Sequence, residues 1–162
     1  MNTTYIILNI LLIVLILVGG GYLARTRFRA MPKKDEREIW KKNASNYNKQ
    51  LDEALQKKKE DDYKALLHND ATRYQPRLPY RIKGPAEVIK WVRQEMEAAS
   101  SSATSIVEKD EKLYDQTLVI TYHFMTQSKI GDLYAQGVGK VTRIWVRVHD
   151  GWKMVHEHIS SG

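Results

Sequence analysis

The sequence predicts an α+β domain carried behind one transmembrane helix, and three patterns in its 162 residues predict it. Residues 5–23, YIILNILLIVLILVGGGYL, carry no charge and are apolar apart from Asn9 and three glycines. Between about residues 35 and 99, apolar side chains recur every three or four positions, the period of a helix face. Beyond residue 104 the texture changes to short β-rich runs separated by turns containing Asp, Gly and Lys.

As a helix, residues 5–23 would reach roughly 28 Å, close to the hydrocarbon thickness of a bilayer. A secretory signal would carry a basic stretch before the apolar run, and Met1 to Thr4 has none. The expected layout is therefore an anchor over 1–24, a basic linker over 25–34 and a domain over 35–162. Arg25, Arg27, Arg29, Lys33 and Lys34 follow the apolar run directly. Such a cluster marks the cytoplasmic side and suits a surface of anionic lipid, so the expected location is the cell (inner) membrane with the domain in the cytoplasm.

The first helix is expected over about 35–58, with Trp40, Ala44, Tyr47, Leu51 and Leu55 on its buried stripe. A short helix should follow through Tyr63, Leu66 and Leu67, then a short strand over 71–75. Gly84-Pro85 starts a third helix, where proline's missing N–H costs nothing, and Val88, Ile89, Val92 and Met96 form its stripe. Strands are expected over 104–109, 117–127, 137–149 and 152–160, the last two joined at Asp150-Gly151. Helices first and a meander after them imply helices on one side of a curved antiparallel sheet.

The net charge of +7 is unevenly distributed. Residues 25–60 hold 12 Lys and Arg against 6 Asp and Glu, whereas residues 61–162 hold 14 against 13. A nucleic-acid partner would want its basic patch on the folded domain, so none is expected. Cysteine is absent, which excludes disulfides, thiolate nucleophiles and Cys-ligated metals.

Strict alternation through the last hairpin places Arg143, Trp145, Arg147, Trp152, Met154, His156 and His158 on one face. The expected ligand pocket is Arg143, Trp145, Trp152, Met154, His156 and His158. The other face carries Ile144, Val146, Val148, Val155 and Ile159, interrupted by Lys153 and Glu157. The predicted helices can cover one face only, so the aliphatic one is expected to meet a second copy of the chain.

"TRIW", a turn, "W" and "VHEHISSG" resemble the end of the association domain of calcium/calmodulin-dependent protein kinase II. "ITYHFMTQ" (120–127) resembles that family's preceding strand. The resemblance implies the nuclear-transport-factor-2-like superfamily, with its SnoaL-like domains, and a cone of three helices wrapped by a curved sheet. It maps the family's pocket arginine onto Arg143, while its other basic pocket positions fall on Phe124, Ile159 and Val88. No kinase signature precedes the module.

Acid–base chemistry on a small hydrophobic substrate is what the resemblance to isomerases and dehydratases implies, with His156, His158, Tyr47, Tyr63, Tyr122 and Asp70 as candidates. The competing reading is that the two histidines are structural. Their i, i+2 spacing also suits zinc, but a third ligand would have to be His149, His123 or Glu157, and no metal or cofactor is expected. "GVGK" lacks the rest of a phosphate loop, and the Asn43 sequon sits inside a helix. Three functions stand open: a membrane-anchored oligomerisation or ligand-binding module serving a membrane complex, a tethered isomerase or dehydratase, and an envelope assembly component of the type IV secretion kind.

Overall fold

A computed structural model describes residues 33–76, 78–98, 102–130 and 133–161. The expected anchor and Arg25, Arg27 and Arg29 lie outside them; Lys33 and Lys34 are exposed where the first helix begins. Among the described residues no helix is long and apolar enough to cross a membrane.

Helix α1 (Lys34–Gln56) opens with Asp35 and Glu36, which complement its N-terminal dipole. It ends in a Schellman closure: Lys59 N–H donates to Ala54 O and Lys58 N–H to Leu55 O. Lys58 holds the left-handed position, φ 55°, that glycine usually takes. The helix buries Ala44, Asn48, Leu51 and Ala54, with Trp40, Tyr47 and Leu55 packed at the edge of the core. Asn48 is thus a polar residue in the middle of an apolar stripe.

Helix α2 (Glu60–Ala65) is shorter than expected, because Leu67 already belongs to strand β1 (Leu67–Tyr74). Strand β2 (Ile82–Lys83) pairs with β1, and Gly84, at φ 82°, turns the chain into helix α3 (Pro85–Ala98). The four stripe residues Val88, Ile89, Val92 and Met96 are all buried. Strands β3 (Ser102–Tyr114), β4 (Thr117–Ile130), β5 (Leu133–Val148) and β6 (Gly151–Ser161) form the meander.

The six strands form one curved sheet in the order β2-β1-β6-β5-β4-β3. The sheet is mixed rather than antiparallel, because β6 returns from the meander to lie parallel to β1. That long-range pairing closes the cone. Trp145, fully buried, sits on the inner face with Leu118, Ile120, Trp152 and Met154, in one core with Leu51 of α1 and Val88 and Val92 of α3. Lys33–Gly162 is a compact unit holding this whole core.

Candidate functional site

The site is set by a break in the alternation of β6. Trp145 pairs with Met154, but Ile144 pairs with His156, so Val155 is an extra residue, a β-bulge. Before it, Trp152 and Met154 face the core as alternation predicts. After it the faces exchange: Glu157 pairs with Arg143 and turns inward, and His156 and His158 turn outward beside Ile144 and Thr142. The inner-face expectation for the two histidines is therefore corrected. Ile159 is corrected too, since it pairs with buried Val141 and packs against the core rather than on the outer face.

Glu157 is 1% exposed and lies between two guanidinium groups. Arg143 Nε donates to its Oε1 at 2.7 Å, and Arg73 Nε from β1 lies 2.9 Å from its Oε2 as an ion pair without hydrogen-bond alignment. Arg143 Nη1 also donates to Asn48 Oδ1 at 3.0 Å and Asp52 Oδ1 at 2.5 Å, while Asn48 Nδ2 donates to Asp52 Oδ2. Arg73 Nη2 reaches both carboxylate oxygens of Glu95 on α3 at 2.7 Å. Two arginines and three carboxylates therefore tie α1, α3, β1, β5 and β6 together inside the cone. Among the described residues, Arg73 Nη1 and Trp145 Nε1 are buried donors that meet no acceptor.

Burial by itself would raise the Glu157 carboxyl, but Arg73 and Arg143 outweigh it and hold it below the usual carboxylate range. Burial raises the Glu95 carboxyl, and Arg73 only partly offsets this. Tyr63 and Tyr122 are both raised by burial, Tyr122 to about 12, and the Arg143 guanidinium stands 5.6 Å from the Tyr122 ring. The Glu157 charge is thus offset by its two arginines, and burial favours the protonated form of both phenols.

The other sequence candidates do not converge there. Tyr47 packs under the last turn against Gly151, and the Asp70 carboxylate is exposed beside His68. The possible third metal ligands are dispersed. His123 pairs with Glu108, His149 with Asp150, and Glu157 faces away from the histidines. Among the described residues no group of three His, Asp or Glu could hold a metal. Arg73, Glu95, Asp52 and Asn48 were not among the sequence candidates, and the signal that could have found one of them is Asn48 within its stripe.

The outer face of the sheet carries Val119, Ile144 and Val146 on its middle strands and Val148 at the end of β5, all only half-buried, with Val107, Met125 and Val138 exposed further out. At the β6–β1 side, His156 Nδ1 lies 2.8 Å from Thr72 Oγ1, and the Tyr74 ring meets both imidazoles edge-on at 5.9 and 5.8 Å.

The fold matches many solved structures, dehydratase-like and hub domains among them. A candidate dehydratase of the NTF2-like family from Streptomyces avermitilis aligns at TM-score 0.68 and 15% identity, over 78% of this chain and 98% of its own. The CaMKII hub of S. rosetta aligns at TM-score 0.67 and 22% identity, over 75% and 95%. The association domain of C. elegans CaMKII aligns at 0.65 and 19%, over 78% and 99%. Each of the three is matched over at least 95% of its own length, and in this chain the whole core lies within the compact unit Lys33–Gly162. No curated protein sequence matches. The model of the SnoaL-like domain matches residues 45–162, well over half of the chain, and the chain belongs to that family, on the NTF2-like fold.

Proposed function

We propose that this protein is a membrane-anchored association module, in which residues 5–23 hold the chain in the bilayer and the SnoaL-like domain pairs with a second copy through the outer sheet face. The observation that carries the reading is the division of the sheet. Its inner face packs against the helices around the arginine–carboxylate network, whereas its outer face presents Val119, Ile144, Val146 and Val148 with no element of the described chain over them. An apolar sheet face of this kind favours association, and a closed pair formed through one patch is isologous. The likeness to hub and association domains supports the same partner.

A tethered isomerase or dehydratase is less well supported. The carboxylate at the heart of the cone is locked between two arginines and held ionised, and both histidines lie on the far side of the sheet. Proton transfer needs a group whose affinity for the proton is matched to its task.

Light scattering on residues 33–162 at tens of micromolar tests the association. The expected species is a dimer, and V146D is expected to yield monomer, since an unpaired charge in an apolar interface costs several kcal/mol. A wild-type monomer would overturn the reading.

A further inference from the structure

We propose that pairing through the outer face is switched by pH, with His156 and His158 admitting a second copy when neutral and excluding it when protonated. The inference rests on the association reading above and adds its regulation. It begins from the bulge at Val155, which moves two imidazoles from the core side to the covered side of the sheet. One residue fewer would have left them inside.

The imidazoles occupy the strand next to the aliphatic centre. His156 stands opposite Ile144 and His158 opposite Thr142, so a copy that covers Ile144 and Val146 must also cover the histidines. Because a two-fold contact presents the same patch twice, four imidazoles enter each interface. Imidazole ordinarily titrates near pH ~6.5, and burying its charged form without a partner is costly.

Among the described residues no carboxylate forms an ion pair with either imidazole, and His156 Nδ1 meets the Thr72 hydroxyl instead. From β5 the facing groups are Thr142 and Ile144, with Lys140 one pair further along. From β1 they are Thr72 and Tyr74, and Arg81 follows that strand. On β6 itself Lys153 shares the outer face, while Glu157 turns inward to its two arginines. Nearest among the acidic groups of the outer face is Asp70 of β1, two residues before Thr72, which is turned to solvent beside His68; the others lie on β3, three strands away, where Glu108 is held by His123 and Asp110 by Lys112. The neighbourhood of the histidines is thus basic and aliphatic.

The direction agrees with the His156 imidazole in the single copy. Burial first, and then the neighbouring His158, already lower its proton affinity, with Arg81 adding to the effect and Glu157 opposing it. Cover by a second copy removes more water and lowers it further. A group whose affinity for protons falls on association makes association strongest above its free value, and the contribution is lost as pH falls through that value. The window therefore lies below pH ~6.5.

Sedimentation velocity on residues 33–162 at pH 7.5 and 5.5, with near-UV circular dichroism to confirm the fold at both, tests the switch. The expected result is a dimer whose Kd weakens at least ten-fold at pH 5.5 with the fold intact. In H156Q and H158Q, read as the ratio of Kd at the two pH values within each variant, that ratio should shrink, and in the double variant approach one. Imidazole titration by NMR gives an independent measure: in a V146K monomer, whose added charge alone would lower the imidazole, His156 should still titrate at higher pH than in the wild-type dimer. A dimer at pH 7.5 with an unchanged or tighter Kd at pH 5.5 overturns the switch and leaves the association reading standing. A ten-fold loss that persists in the double variant also overturns it. Absence of a dimer at both pH values overturns the association reading and this inference with it.

Discussion

Glu157 is a carboxylate with two cationic neighbours and almost no water, and its removal would leave Arg73 and Arg143 facing each other across the space it filled. E157Q is therefore expected to destabilise the domain by about 3–5 kcal/mol, measured by urea unfolding. The network as a whole is a different matter, because taking several charges out of water offsets much of their mutual attraction. R73M, R143M and E157L combined with D52N and E95Q, so that no carboxylate is left without its arginine, should unfold near wild type or up to about 4 kcal/mol above it if the network only ties the elements together. A five-fold variant as unstable as E157Q would mean that the charges do more than hold the cone. Arg143 was legible in the sequence because it sits inside the TRIW motif. Glu157 was visible as an interruption of an aliphatic face but was assigned to the wrong side. Arg73 and Glu95 could not be read, since what brings them in is the parallel pairing of β1 with β6, a contact between residues more than eighty positions apart.

The helices were legible as elements because each carries its own period: the α3 stripe is buried as expected, and Gly84-Pro85 starts that helix. The β6 strand was legible in extent but not in facing, because an extra residue in a strand leaves no mark on hydrophobic pattern unless a charge lands where it does not fit. The turn before it lies one residue earlier than the Asp150-Gly151 pair suggests. Strand β5 ends at Val148 and β6 begins at Gly151, so His149 and Asp150 make the loop and the glycine takes the first paired position. Gly151 holds φ 130°, and a Cβ there would stand 2.3 Å from the Tyr47 hydroxyl of α1. The backbone conformation favours glycine, and a side chain there would also require the far end of Tyr47 to shift. G151A is expected to cost about 2–4 kcal/mol, the sum of strain at a glycine-only conformation and overpacking. Tyr47→Ala in the same chain relieves the clash but not the strain, so thermal unfolding of the double variant should recover part of the loss relative to the two single changes. If G151A unfolds like wild type, the docking of α1 on the hairpin is looser than these distances state.

Across the whole chain, charge and hydrophobicity are divided so that one end suits a bilayer and the other suits self-association. The 12 basic residues against 6 acidic ones over 25–60 stand in contrast to the near balance of the remainder. An anchored association module gains from this division. Tethering confines copies to two dimensions and raises their effective concentration, so a face of modest affinity suffices to pair them. On the proposed anchored reading, the basic stretch after the apolar run would set orientation, because Lys and Arg within about 15–20 residues of a span are retained on the cytoplasmic side. Alkaline phosphatase fused after Gly162 is therefore expected to be inactive in cells, and a fluorescent protein at the same place to be bright. Replacing Arg25, Arg27, Arg29, Lys33 and Lys34 together with Gln should lower that contrast by removing the retaining charge. An active phosphatase fusion on the wild-type chain would reverse the orientation, place the SnoaL-like domain outside the cytoplasm, and favour the envelope assembly reading over a cytoplasmic module.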